Sequence, residues 1–331
     1  VVESSGISEP APVARLFTTE SRVAALYDVD SLVTVLNTPQ FLEWFGGDSV
    51  PERQGSEGDR PLSDLLVDQV EVSNVVLLNK ADQCSAAELD TAEELVGALQ
   101  PDAETIRTEF SAVDPDRLLG ADRFERAGVD ELPGWKRALD DGGDGADDRS
   151  HHDDHTDSHH DGNHNHHADS EHHNDPDADH HGHTHPDEVY GVSSFTYRRR
   201  QPFDPERLAA FFQELPPEIV RAKGTVWLAG RDQKVTVSQA GPSVRATAQG
   251  PWIASLPEVD RQMYRSNRPD LEWHDDHGDR RTELVFIGTT YDEAALRSAL
   301  EEALVAVGEA PDSDDDPFPV AAGAEAVIRE P

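Results

Sequence analysis

The feature that most constrains this chain is a short apolar run that leads directly into a polar loop and then into a capped helix. Val75–Leu78 is apolar at every position, as in a parallel strand whose two faces are both covered. The loop Asn79–Asp82 follows without a gap, and Ser85 with Glu88 forms the start signal of a helix predicted over residues 86–99. A strand, a loop and a helix in this order predict an α/β domain with a parallel sheet.

The same alternation extends over residues 1–139, which we predict to be one domain. Ser31–Leu36 is an apolar run of strand length, and Pro61–Val72 carries apolar residues at helical spacing. Beyond this domain the composition changes, because residues 140–187 consist mainly of Asp, His, Gly and Asn. Such a segment buries too little apolar surface to offset its chain entropy, so we predict a linker that is disordered without metal.

Apolar patterning returns after the linker. Residues 188–307 alternate between strand-like and helix-like segments, which predicts a small α+β domain. Residues 308–331 open on an acidic stretch, and we predict a tail there.

The net charge of the chain argues against one class of function, nucleic-acid binding. The chain has 67 acidic and 28 basic residues, a formal net charge of −39, so a cationic face for nucleic acid is disfavoured. Acidity with few lysines fits a protein that stays soluble at very high salt; the alternative is an ordinary acidic protein with disordered tails.

The single Cys84 excludes an internal disulfide framework. No run of 18 apolar residues occurs, so we expect a cytoplasmic protein with no membrane partner.

The loop Asn79–Asp82 has the composition of a guanine-recognition loop. The Asp82 carboxylate can accept hydrogen bonds from both N1–H and the exocyclic amine of guanine, a donor pair that adenine lacks. An unpaired buried carboxylate would cost at least ~1–3 kcal/mol, which is enough to discriminate between the bases. The Lys80 stem can lie over the base, and Asn79 can tether the loop to neighbouring backbone. The alternative is that Asn and Asp only cap a turn after a buried strand.

A second candidate site lies in the segment Val1–Gly6. We expect an apolar strand that ends at Glu3, whose carboxylate would act on magnesium, while the Gly6 N–H would face a terminal phosphate. The alternative is a loop glutamate at a strand end. Glu3 and Gly6 are the predicted catalytic residues. No G-x-x-x-x-G-K-[S/T] phosphate loop occurs in the 331 residues, and we expect that the first part of the domain is missing.

Histidine is concentrated in the linker, where fourteen of the sixteen histidines lie between His151 and His185. Neutral imidazole binds zinc, cobalt, nickel and copper. Closed structural zinc sites use fixed spacing, whereas this tract offers redundancy, which predicts weak and exchangeable sites. The alternative is a solubilising linker. The predicted metal ligands are His164, His166, His167, His180, His181, His183 and His185.

Two smaller features have two interpretations each. His274 and His277 could form a site, but a surface loop is favoured. Arg198–Arg200 could contact an acidic partner or a phosphate, but pairing with nearby carboxylates is favoured.

Short stretches in both predicted domains point to a known family. In the first domain these stretches are Glu3–Pro10, Asp68-Gln69 and Asn79–Asp82. In the second domain they are Tyr197–Phe203, Arg221–Ala229 and Gly278–Gly288. Together they resemble the CobW branch of the metal-linked GTPases, which is kin to the nickel-insertion GTPases HypB and UreG.

The resemblance implies a P-loop GTPase-type parallel sheet, incomplete here, followed by the small α+β domain. It also implies a cytoplasmic GTPase that uses GTP and Mg²⁺ and delivers zinc or cobalt to a client metalloprotein; some members are tied to cobalamin synthesis. The family's phosphate loop and its Cys-x-Cys-Cys metal motif are absent, and Cys84 does not match that motif. We therefore expect this sequence alone neither to bind GTP tightly nor to hydrolyse it.

Two other functions stay open. The first is a non-enzymatic metal buffer that stores metal on the histidine tract of a degenerate GTPase fold. The second is a scaffold for cobalt insertion into a corrin ring, which shares the fold and differs only in its client.

Overall fold

The computed structural model describes residues 1–6, 8, 10–18, 24, 26–45, 62–120, 123–124, 192–268, 271–308 and 316–330. The metal ligands predicted between His164 and His185 and the whole predicted linker over residues 140–187 lie outside the described residues.

The first half is a parallel three-stranded sheet with helices. Its strands, in the order β1-β2-β3, are β1 (Val33–Asn37), β2 (Val75–Asn79) and β3 (Glu104–Thr108). Its helices are α1 (Pro10–Thr18), α2 (Thr38–Phe45), α3 (Leu62–Glu71) and α4 (Ala86–Leu99). The central strand β2 has its first four residues fully or almost fully buried, as its unbroken apolar run predicts.

The second half is an antiparallel six-stranded sheet with the strand order β4-β8-β5-β6-β7-β9. The strands are β4 (Val192–Arg199), β5 (Ile219–Val226), β6 (Gln233–Ala240), β7 (Ser243–Pro251), β8 (Thr282–Thr289) and β9 (Glu325–Arg329). The helices are α5 (Pro205–Gln213), α6 (Glu258–Asn267) and α7 (Glu293–Glu302). The predicted fold class, a parallel α/β sheet followed by an α+β domain, is confirmed.

Strand β8 shows how the two halves pack. Leu284 and Phe286 point into a core that helices α5 and α7 complete on one face of the second sheet. Val285 and Ile287 point to the opposite face, into a core shared with α2, α3 and α4 of the first half. Successive side chains of a strand alternate between faces, so four consecutive apolar residues are what a sheet covered on both faces requires.

Two expectations from the sequence were wrong in detail. Residues 1–5 form no strand, and Val1 and Val2 are exposed, because no described strand lies beside them to supply hydrogen bonds. The predicted acidic tail contains β9, which pairs with β7. Ile328 is the one buried residue of this edge strand. The strand therefore has little apolar pattern, and the acidic residues before it led to the prediction of a tail.

Within the described part of the chain, no helix has the length and apolar character needed to cross a membrane.

Helix α4 begins with the reciprocal cap that the sequence predicts. The Ser85 hydroxyl accepts a hydrogen bond from Glu88 N at 3.3 Å, and Ser85 N donates to Glu88 Oε2 at 2.6 Å. We expect Ser85→Ala to lower the free energy of unfolding by about 1 kcal/mol in urea denaturation. Ser266→Ala is the control, because Ser266 bonds only a carbonyl within α6, and we expect a change below about 0.5 kcal/mol. Equal losses in the two variants would contradict the cap's contribution.

Candidate functional site

The carboxyl edge of the parallel sheet brings the Asn79–Asp82 loop next to the turn that follows β3. Asn79 and Thr108 are register partners at the ends of β2 and β3. The Asn79 side-chain oxygen accepts a hydrogen bond from Ser111 N at 2.8 Å, which ties the two loops together. In open α/β sheets, ligands bind at this carboxyl edge of the strands.

Unusual backbone conformations concentrate at this edge. Four non-glycine residues have positive φ among the described residues, and three of them lie here: Lys80 at 65°, Phe110 at 52° and Ser111 at 54°. Each such conformation costs roughly 1–2 kcal/mol for a residue with a Cβ. Such strain persists where surrounding bonds fix it, and it clusters at functional sites. The left-handed turn at Lys80 directs the chain from β2 into a 3₁₀ helix at Ala81–Gln83.

The side chains at this edge combine polar groups with an aromatic surface. Asp82 is exposed and, when ionised, offers only hydrogen-bond acceptors. Lys80 is half-buried, with an aliphatic stem beside the turn. The Phe110 ring is 91% exposed, which is a high value for a phenylalanine and leaves an aromatic surface beside the polar groups.

Sequence reasoning missed Phe110 and Ser111. Residues 104–108 carry a single buried apolar side chain, Ile106, so β3 has little apolar signal of its own. Side chains of a strand point alternately to the two faces of the sheet, and this pattern could have identified Glu104–Thr108 as a strand. The turn after that strand would then have been predicted at the same edge of the sheet as Asn79.

The segment around Gly6 is held by helix α3. The Gln69 side-chain amide donates hydrogen bonds to Gly6 O at 3.0 Å and to Ser8 O at 3.2 Å. Ser8 N donates to Ser5 O at 2.9 Å, which closes a turn. Glu3 is exposed, and no hydrogen bond or ion pair among the described residues joins it to the Asn79–Asp82 loop.

The surroundings of Cys84 disfavour its thiolate form. Burial, together with the charges of Glu88 and Asp82, raises the pKa of its thiol. A raised pKa lowers the fraction of thiolate, which is the form that binds metal. Within the residues that the structure describes, no group of three or more His, Cys, Asp or Glu side chains is arranged to hold a metal ion.

His274 and His277 belong to a tight surface turn. Their rings stack with centroids 4.8 Å apart, and a bridge pairs His274 with Gly278. His274 Nδ1 accepts a hydrogen bond from Asp276 N at 3.1 Å, so this nitrogen is already engaged. Partial burial and then the neighbouring His274 lower the pKa of His277. The geometry supports the loop interpretation.

The arginine cluster Arg198–Arg200 pairs with carboxylates of its own domain. Arg198 lies 3.6 Å from Glu283, Arg199 lies 2.6 Å from Glu301, and Arg200 contacts Glu272. The interpretation as local ion pairs is confirmed.

Two family models match this chain. The model described as "CobW/HypB/UreG, nucleotide-binding domain" matches residues 1–107, which include the Gly6 turn and the Asn79–Asp82 loop. The model described as "Cobalamin synthesis protein cobW C-terminal domain" matches residues 192–304.

Named relatives extend over different parts of the chain. "Zinc-regulated GTPase metalloprotein activator 1" of Dictyostelium discoideum is 31% identical over 329 residues, which cover 93% of this chain and 60% of that protein. "Zinc chaperone Rv0106" of Mycobacterium tuberculosis is 30% identical over 126 residues, which cover 36% of this chain and 31% of that protein. This chain thus spans less than two thirds of either relative.

Among solved structures, the Zn(II)-bound YjiA GTPase from E. coli aligns over 90% of this chain and 68% of its own length. The sequence identity is 14% and the TM-score is 0.32, a similarity too low to add to the description of the site.

Proposed function

Because this chain belongs to the CobW family, with a CobW/HypB/UreG nucleotide-binding domain and a CobW C-terminal domain, we propose that the complete protein is a GTP-dependent zinc metallochaperone. One observation carries the nucleotide part of this proposal. The Asn79–Ser111 hydrogen bond fixes a strained, exposed turn at the carboxyl edge of β2 and β3, within the segment that matches the nucleotide-binding domain.

In this proposal each residue of the loop has a separate task. Asn79 holds the loop against the Ser111 turn, and Asp82 accepts the two guanine donors that adenine lacks. The Lys80 stem lies along the base, and Ser111 adds backbone to the wall of the site. GTP with Mg²⁺, when bound, supplies the phosphoanhydride whose hydrolysis separates two states of the protein. Glu3 acts near the magnesium ion, and the turn at Gly6 faces the terminal phosphate.

The metal assignment follows the relatives. The Dictyostelium protein is named as zinc-regulated and the mycobacterial protein as a zinc chaperone, which supports zinc over cobalt for this chain. The histidine tract between His164 and His185 would collect zinc at exchangeable sites. The second domain would recognise a client metalloprotein, and we place the delivery in the cytoplasm.

A non-enzymatic metal buffer is the second candidate, and the fourteen clustered histidines favour it. It requires metal binding by residues 140–187 alone, with no dependence on nucleotide.

The deciding experiment measures zinc and cobalt affinity of the complete protein with GTP–Mg²⁺, with GDP and without nucleotide, before and after deletion of residues 140–187. We expect zinc affinity to depend on the nucleotide and to keep that dependence after the deletion, because the linker only supplements the switched site. A metal affinity that does not depend on the nucleotide and is lost when residues 140–187 are deleted would support the metal buffer instead. If the protein binds cobalt more tightly than zinc, and this affinity depends on the bound nucleotide, the zinc assignment would be wrong but nucleotide-dependent metal binding would stand.

A further inference from the structure

Helix α3 contacts both the turn at Gly6 and the second domain. Near its carboxyl end, Gln69 holds the carbonyl oxygens of Gly6 and Ser8 with a single side-chain amide. Carbonyl oxygens repel a phosphate, so holding two of them against α3 favours a turn that presents its other groups to an anion. Gln69 therefore controls the shape of the turn that we assign to the terminal phosphate.

Two residues after Gln69, the same helix enters a buried charge cluster with the second domain. Glu71 is 4% exposed and Arg221 of β5 is 2% exposed. Arg221 Nε donates to Glu71 Oε1 at 2.7 Å and its Nη2 donates to Oε2 at 3.2 Å, while Lys223 Nζ donates to Oε2 at 3.0 Å. Asp68 lies 3.5 Å from Arg221, so two carboxylates face two cations.

The second domain fixes the geometry of this cluster. Arg221 Nη1 also donates to Ser238 Oγ at 2.9 Å and to Gln239 O at 3.1 Å, both in β6. Burial opposes ionisation of Glu71, but the charges of Arg221 and Lys223 outweigh it and lower its pKa. A buried carboxylate that stays ionised needs its cationic partners in place, so the position of Glu71 follows that of β5.

Apolar packing also joins α3 to the second sheet. Val67 and Val70 are fully buried in the core that the two halves share, together with Val220 of β5 and Ala240 of β6. A movement of the second sheet that shifts β5 therefore shifts α3, because close-packed cores transmit displacement.

We propose that Gln69 is a positioning residue for the turn at Gly6, and that the cluster of Glu71, Arg221 and Lys223 makes its position depend on the second domain. This inference rests on the proposed function, since that function assigns the turn to the terminal phosphate. Events on the second domain would then change the rate of GTP hydrolysis. Where they also change nucleotide affinity, the nucleotide would alter binding to the second domain by the same factor.

The first test is GTP hydrolysis by the complete protein carrying Gln69→Glu. This change keeps the size of the side chain and removes its N–H donors. We expect kcat to fall roughly 10- to 100-fold, because small misplacements of reacting groups have effects of this order. We expect KM for GTP to stay within about twofold, because the guanine loop is not touched. A merely structural effect would instead reduce the active fraction and the thermal stability.

The second test adds Arg221→Met, alone and combined with Gln69→Glu. We expect Arg221→Met to lower kcat in the same way, and the double variant to be no slower than the slower single variant, because both changes break one connection. If Arg221→Met does not fold, Lys223→Met replaces it, since Lys223 contributes one bond to Glu71.

Arg231→Met is the matched control. Arg231 is a largely buried arginine of the second domain that bonds Asp316, Phe318 O and Pro319 O, all far along the chain from α3. We expect kcat of this variant to stay within about twofold of the unsubstituted protein.

Hydrogen exchange of the nucleotide-free protein gives a readout that does not depend on activity. We expect Gln69→Glu and Arg221→Met to speed exchange of the backbone amides around Gly6 and Ser8, and Arg231→Met to leave it unchanged. Unchanged exchange in the first two variants, kcat effects that multiply in the double variant, or an equal effect of Arg231→Met would overturn the inference. If the unsubstituted protein hydrolyses no GTP, the proposed function fails, and the exchange data alone decide whether α3 makes this connection.

Discussion

Asp82→Asn in the complete protein is expected to weaken GTP binding about 100-fold and to create binding of XTP. The carboxylate accepts two hydrogen bonds from guanine, and losing charge-assisted bonds of this kind removes about 3 kcal/mol of binding free energy, or roughly two powers of ten in Kd. Xanthine carries an oxygen where guanine carries its exocyclic amine, so the amide of Asn can donate to it. Titration with fluorescent GTP and XTP analogues measures both affinities.

The control for the Asp82→Asn substitution is Asp116→Asn. Asp116 is an exposed carboxylate in the 3₁₀ helix at Pro115–Arg117, outside the Asn79–Asp82 loop, so the change removes the same charge without touching the base. We expect both nucleotide affinities of this variant to match those of the unsubstituted protein. GTP affinity that survives Asp82→Asn, with no gain for XTP, would show that Asp82 only caps a turn.

Gly224→Ala is expected to destabilise the second domain by about 4 kcal/mol or more, which is a large fraction of the stability of an ordinary domain. Gly224 lies in β5 with φ of +154°, and a Cβ there would stand 1.9 Å from Glu283 O in the neighbouring strand β8. The β5–β8 pairing would have to separate, since the atom that the Cβ meets belongs to the backbone of β8 and cannot rotate away as a side chain could. Denaturant unfolding followed by circular dichroism measures the loss.

Gly97→Ala is the matched change for comparison. Gly97 lies in helix α4, is exposed, and a Cβ there would meet nothing within 4 Å. We expect a gain of about 0.5–1 kcal/mol in the free energy of unfolding, because alanine loses less conformational freedom in a helix than glycine does. Similar effects of the two substitutions would show that crowding at Gly224 does not decide its identity.

The second-domain core was predicted in part from the sequence. Trp227 and Trp252 are buried, and the apolar run Leu284–Ile287 marks β8. Helix α6 was not predicted, because most of its residues are polar and none of its side chains is buried. Strands β7 and β9 were missed because small and polar residues make up much of each strand.

The elements that could be predicted from the sequence are those whose formation depends on residues close together along the chain. The apolar run of β2 predicts a strand that is buried on both faces. Ser85 and Glu88, three residues apart, cap α4. The hydrogen-bonding groups of Asn79–Asp82 follow from the residue types alone. These features depend on neighbours along the chain, so composition and spacing are enough to predict them.

Contacts between residues far apart along the chain could not be predicted from the sequence and are seen only in the folded protein. Ser111 reaches Asn79 across 32 positions, Gln69 reaches Gly6 across 63, and Arg221 reaches Glu71 across 150. Such contacts depend on sheet order and on the packing of one half against the other, and nothing in the local pattern around Arg221 distinguishes a buried ion pair from a surface charge. The charge cluster that joins α3 to the second domain forms only where the two halves meet. Burial there strengthens the attraction between opposite charges and makes any unpaired charge costly, and both effects are properties of the assembled fold.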